Sequence, residues 1–193
     1  MKIERRRWTL GALALAAVTA ACIDLEPDPA PAIRWLSLDA RADAEPSELP
    51  PPAEPALVLA RVTVAESIPD RLVRRISPVE VAYDDLARWN EPLDDALRRA
   101  LEDELYRRRG FVRRGASSGR TLEVELVTFE LAAGQASVAA IARLTDFDGV
   151  TVFDRRFETA AVVDGSDAGV IAEGLTDGLR DVVVEIADLA ALR

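Results

Sequence analysis

Proline decides where this chain cannot fold. Eight of the eleven prolines lie between Pro27 and Pro55, with Ala, Glu and Asp filling most of the remainder. Proline lacks an N–H and fixes φ, so closely spaced prolines are excluded from helix interiors and central strands. Such a stretch buries little apolar area and reads as an extended spacer, covering 22–55. One apolar island interrupts it, Ile33-Arg34-Trp35-Leu36-Ser37-Leu38, which reads as a short edge strand near 33–38 docked on the folded part. That folded part is then 56–193, long enough to bury a core without disulfides.

The residues before the spacer carry a different pattern. Lys2, Arg5, Arg6 and Arg7 against Glu4 make a positive start, and the uncharged run 10–21 follows. The run is too short to cross the roughly 30 Å hydrocarbon core of a bilayer comfortably as a helix. A positive start, a short apolar run and small residues at its end are the pattern of a secretory signal, here 1–21. Thr19-Ala20-Ala21 leads directly into Cys22, the only cysteine, and this resembles a bacterial lipobox. The resemblance implies a diacylglycerol on the Cys22 thiol, removal of 1–21 and a palmitate-type acyl group on the freed amine. Several acyl chains hold a membrane far more firmly than one. In enterobacterial lipoproteins an Asp directly after the Cys favours the inner membrane; here Ile23 follows Cys22 and Asp24 comes one place later, so the resemblance implies the outer membrane over the inner and a periplasm-facing domain.

Within 56–193 the hydrophobic period changes repeatedly. Residues 56–64 are rich in β-branched side chains and read as a buried strand. Pro69 and Pro78 mark an irregular arm, and Val79 to Tyr83 alternate as a short strand. Asn90-Glu91-Pro92 reads as a helix start with Asn90 as cap. Leu93, Leu97, Leu101 and Leu105, with Ala96 and Ala100, form one apolar helix face. Arg107, Arg108 and Arg109 before Gly110 read as a solvated helix end favoured by the dipole. Three strands follow: Leu122 to Leu131 with a bulge near Val127-Thr128, Ser137 to Ala142 after a turn at Ala133-Gly134, and Val150 to Phe157 after a turn at 146–149. A last helix, capped by Ser166 or Asp167, carries Ile171, Leu175, Leu179, Val182, Val183, Ile186 and Leu189. Gly169, Gly174 and Gly178 weaken it, and suit close packing on the sheet or on a second copy in a homo-oligomer. These elements predict an α+β fold: an antiparallel sheet of about four strands with two helices on one face.

Absences narrow the chemistry. The chain has no His, and its single Lys, Lys2, lies in the signal. The mature part therefore has no imidazole base, no Schiff-base amine and no histidine metal ligand. The net charge is -10, and loss of the three net positive charges of 1–21 leaves about -13. Such a surface repels nucleic acid and anionic lipid headgroups. Asp146-x-Asp148-Gly149 lacks the later ligands of a calcium loop and reads as a hairpin turn. Asp94, Asp95, Glu102, Asp103 and Glu104 alternate with arginines, which solvated i,i+4 pairing explains without catalysis. No nucleophile elbow, phosphate loop or dinucleotide fingerprint is present. No catalytic residue, cofactor site or metal site is expected, and the protein is not expected to be an enzyme. A carboxylate-based hydrolase is the weakest reading.

Tyr83-Asp84-Asp85-Leu86-Ala87-Arg88-Trp89-Asn90-Glu91-Pro92-Leu93 gathers scarce aromatics at a helix start. It reads either as a local staple fixing the entry angle or as an anchor for a partner. With Tyr83, Arg88, Trp89, Glu91, Pro92 and Leu93 in this order the chain resembles the ABC-type transport auxiliary lipoproteins. That family includes the outer-membrane lipoprotein of the paraquat-inducible system. The resemblance takes in the lipobox, the Trp35-Leu36 island, the Leu122 to Leu131 strand and the closing helix. Asn90 stands where Ala is frequent. The resemblance implies a non-catalytic accessory role in lipid transport between membranes. Its implied partners are a periplasmic MCE-domain protein (mammalian cell entry), an ABC permease and an ATPase. The other reading is a structural lipoprotein that assists assembly of an outer-membrane machine.

Overall fold

The computed structural model describes residues 30–40, 56–113 and 119–192. The signal 1–21, Cys22 and most of the spacer lie outside the described residues. A compact unit runs from Ile33 to Arg193.

Its elements are β1 (Arg34–Leu36), β2 (Leu57–Val64), β3 (Arg71–Ser77), β4 (Glu80–Trp89), α1 (Leu93–Glu102), β5 (Arg120–Ala132), β6 (Gln135–Thr145), β7 (Thr151–Val162) and α2 (Ala168–Leu192). The fold is α+β, but the sheet is not four antiparallel strands. It has seven strands and is mixed, in the order β1-β4-β3-β5-β6-β7, with β2 also on β5. The pairs β3–β4, β5–β6 and β6–β7 are antiparallel; β1–β4, β2–β5 and β3–β5 are parallel. Strand β5 spans 13 residues, roughly 43 Å at 3.3 Å per residue. One of its edges therefore carries two shorter strands end to end. Leu57 to Val64 lie along Arg120 to Leu126, and Arg74 and Arg75 along Leu131 and Ala132.

The arm between Pro69 and Pro78 is thus not irregular: it contains β3. The short strand after it continues through Arg88 to Trp89, so the Tyr83-to-Trp89 stretch is mostly strand rather than helix entry. Two of the three antiparallel turns fall where glycine permits them, at Gly134 and Gly149; the β3–β4 turn uses Pro78 and Val79 instead. Ala133 and Gly134 both have positive φ, 49° and 76°, as the tight two-residue turn requires. The bulge lies between Leu126 and Thr128. It returns Phe129 to the face of Leu122, Val124 and Leu126, where all four are buried.

Helices α1 and α2 pack on the sheet and against each other, and one core joins them. Leu93, Leu97 and Leu101 of α1 and, just beyond its end, Leu105 are buried, as are Ile171, Leu175, Leu179, Val182, Val183 and Ile186 of α2. The small residues of α2 serve the sheet contact. A Cβ at Gly174 would stand 2.8 Å from Val163 Cγ2, and one at Gly178 2.9 Å from Val138 Cγ2. Strand β6 answers with Ala136, Ala140 and Ala142, each fully buried, so helix and sheet approach closely.

Helix α1 starts later than Asn90 suggests. Its cap is Pro92, without a side-chain hydrogen bond, and Ala96 N–H donates to Pro92 O. It then widens into a π-helical segment, Asp103–Arg108. Arg109 N–H donates to Glu104 O, five residues back, and Phe111 N–H to Leu105 O across Gly110, whose φ is 71°. The arginine run is not simply solvated. Asp103 and Glu104 are buried. Arg107 and Arg108 pair with Asp103, and Arg109 with Glu104 and with Asp188 of α2. Two buried carboxylates need such partners, and the last ion pair ties the two helices together.

Candidate docking site at the entry to the first helix

The entry is built by backbone hydrogen bonds to two distant segments. Trp89 N–H donates to Asp70 O at 3.0 Å, and Asn90 N–H donates to Leu36 O at 2.9 Å. The chain leaving β4 is therefore held between β1 and the residues before β3, and turns into α1 from a fixed point.

The motif residues divide into three groups. Trp89, 4 % exposed, lies in the core with its ring 5.3 Å from that of Phe129, tilted by 55°. Leu93 is buried beside it on the helix. Among the described residues the Trp89 indole Nε1 has no hydrogen-bond partner. Glu91 and Arg88 are held by ion pairs. Glu91 accepts two hydrogen bonds from Arg99, at 2.6 and 2.7 Å, and Arg99 also donates to Leu38 O. Arg88 donates to Asp70 Oδ2 at 3.1 Å. Pro92 is exposed. Tyr83 is not part of this entry. It sits further back on β4, opposite Val73, and is 49 % exposed. There it helps line a separate cavity of about 260 Å³ with Arg75 and Glu130, which form an ion pair.

A cavity of about 390 Å³ opens at the entry, between Val64, Ile68, Pro69 and Asp70 on one side and Trp89 to Asp94 on the other. Its floor is apolar. Its rim carries Asn90, Pro92 and Asp94, all exposed. Hydroxyl, thiol and imidazole side chains are absent from its lining, and of its three carboxylates Asp70 and Glu91 are held by Arg88 and Arg99; the cavity offers shape and a polar rim. Among the described residues no group of three or more His, Cys, Asp or Glu is placed to hold a metal ion. Asp146 holds its hairpin turn instead: its Oδ1 accepts from the N–H groups of Asp148 and Val150, at 3.0 and 2.9 Å.

A second pair fastens β1 to the other helix. Arg34 donates to Asp167, at 2.9 and 3.2 Å, and Asp167 caps α2 by accepting from Gly169 N–H at 2.7 Å. These hydrogen bonds, the one from Arg34 first, lower the Asp167 carboxyl to about 2. The sequence pattern hid one residue, Trp35, which is 64 % exposed beside buried Leu36. The island carries apolar side chains on both faces, Ile33 and Trp35 on one and Leu36 and Leu38 on the other, so the pattern does not tell which face is covered.

No helix among the described residues is long and apolar enough to cross a membrane. The fold resembles that of a Xanthomonas campestris protein of family DUF330, at 23 % identity and a TM-score of 0.66, over 82 % of this chain and 95 % of that one. An uncharacterised protein of known structure matches equally well, at 18 % identity and a TM-score of 0.66, over 82 % of this chain and 99 % of the other. No curated protein matches the sequence. The family described as the ABC-type transport auxiliary lipoprotein component matches residues 37–187, which takes in every strand but β1, both helices and the helix entry. The chain belongs to the ABC-type transport auxiliary lipoprotein family.

Proposed function

We propose that the protein is a non-catalytic accessory component of an MCE-associated ABC-type lipid transport system. It would be held by lipid on Cys22 at the periplasmic side of a membrane, the outer one by preference. The observation that carries this reading is the family match over 37–187. The N-terminal pattern up to Cys22 supports the anchor, and the lack of His and of any Lys beyond Lys2 supports a role without chemistry of its own. The cavity at the helix entry supports docking. Its rim of Asn90, Pro92 and Asp94 would meet the partner, while Trp89, Glu91 and Leu93 hold that rim in place from beneath.

The test is recovery of the membrane-extracted protein with its neighbours and identification of what comes with it. An MCE-domain protein, a permease and an ATPase are expected. Recovery of outer-membrane assembly components instead, with none of these three, would reject the transport role. Asp94→Arg supplies the local test. It should weaken binding to the MCE-domain protein by about 2 kcal/mol, roughly thirtyfold, and, because Asp94 lies in the first turn of α1, lower the melting temperature by only about 2–4 °C.

A further inference from the structure

The segment 33–40 has two unlike sides. One is fastened to the domain: Leu36, Leu38 and Ala40 are buried, Arg34 reaches Asp167, and Leu36 O accepts from Asn90 N–H. The other side is uncovered. Ile33 is 49 % and Trp35 64 % exposed. The register sets Trp35 beside Arg88 of β4. Leu86, two residues before Arg88, presents to the same side of the strand and is 39 % exposed. Three large apolar side chains therefore meet at this edge of the sheet, one of them a tryptophan. Single exposed apolar residues are ordinary, but a contiguous set marks a surface that is covered in use. The charges around it are paired, Arg88 and Arg71 with Asp70 and Arg71 with Asp85, so the strongly negative charge of the chain is not concentrated there.

Chain length says what can cover it. Cys22 precedes Ile33 by 11 residues. Even fully extended, 11 residues span at most about 40 Å. A lipid on Cys22 would therefore keep β1 within that distance of the bilayer, whatever path the chain takes between them. Tryptophan prefers the headgroup level of a membrane, where its ring is apolar and its N–H wet. We propose that the β1–β4 edge faces the bilayer and that Ile33, Trp35 and Leu86 settle into its headgroup region. This rests on the lipid-anchor reading above.

The mature protein would hold two tryptophans, Trp35 and Trp89, and Trp89 is buried, so Trp35 reports on its own surroundings. The full mature lipoprotein should be placed in phosphatidylcholine vesicles with and without bromine on the acyl chains near the headgroup. Its acyl mass should be measured on the same sample. Brominated vesicles are expected to quench the emission, and Trp35→Phe, with an unchanged melt, to abolish the quenched part. An acylated protein with equal emission in both kinds of vesicle overturns the bilayer-facing edge and leaves the anchor standing. A protein without acyl mass that does not sediment with vesicles overturns the anchor and this inference together. Emission that is unchanged by brominated lipid but shifts when the MCE-domain protein is added overturns it in favour of a protein contact.

Discussion

Trp89 fixes the helix entry in two ways. Its ring fills the space against Phe129, and its backbone N–H fixes the turn to Asp70. Emptying such a site costs about 3–5 kcal/mol. Trp89→Ala is therefore expected to lower the melting temperature strongly. Partner binding of its folded fraction is expected to fall less than with Asp94→Arg; the reverse ranking would make the indole a direct contact. Asp167 gives a second single-residue test. Its carboxyl, ordinarily near 3.8, is lowered to about 2 by Arg34 and by Gly169 N–H. A carboxyl lowered on folding adds stability that is complete above its unfolded value and disappears as pH falls through the folded one. Wild type and Arg34→Ala should differ in melting temperature at neutral pH, and the difference should shrink between about pH 4 and pH 2. A constant difference down to pH 2 would mean that Arg34 acts through packing alone.

At the scale of elements, the contact of α2 with β6 depends on what is missing from the helix. Glycine lowers helix propensity by about 1 kcal/mol relative to alanine, so Gly178→Ala would stabilise an isolated helix. Here the new Cβ would lie 2.9 Å from Val138 Cγ2 and 3.2 Å from Thr159 Cγ2. Val138 is β-branched and 1 % exposed, so it has no room to rotate away. Overpacking costs about 1–3 kcal/mol, and the clash should win by about 1 kcal/mol, a fall of about 2–4 °C in melting temperature. A higher melting temperature would show that the helix can shift off the sheet. The same close approach assigns Gly174 and Gly178 to contact within the chain. A second copy is not required to explain them.

For the whole molecule, the fastening of β1 connects the first of the described residues to both helices. Arg34 binds the cap of α2, Leu36 O the entry of α1, and Leu38 O the Arg99 side chain. The anchor itself has a direct test. Cys22→Ser should move the protein from the membrane fraction to the soluble periplasmic fraction. A variant that still sediments with membranes, beside a wild type without acyl mass, would reject lipidation.

The sequence by itself determined the family and most of the local elements, but not β3 or the start of α1. Leucines every four residues, the glycine-permitted turns, the bulge after Leu126 and the cap of α2 all depend on neighbours a few residues away, and all were legible. So was the motif from Tyr83 to Leu93. What only the tertiary structure decided is pairing between distant segments. The β-branched run of β2 says that it is a strand, whereas β3, between Pro69 and Pro78, reads as an irregular arm, and nothing in either says that both lie on one edge of β5, parallel to it. That arrangement depends on the length of β5 and on α1 lying between β4 and β5 in the chain. Nor could spacing tell that Asp103 and Glu104 are buried, since the exposed face that i,i+4 pairing assumes is covered here at a π-helical turn next to α2. Trp89 and Tyr83 stand six positions apart in one motif, yet one is core and the other surface. An even spacing would put both on one face of a regular strand; the pairing of β4 with β3 is irregular between Arg71↔Arg88 and Val73↔Tyr83, and such a break depends on the partner strand, which spacing inside the motif does not show.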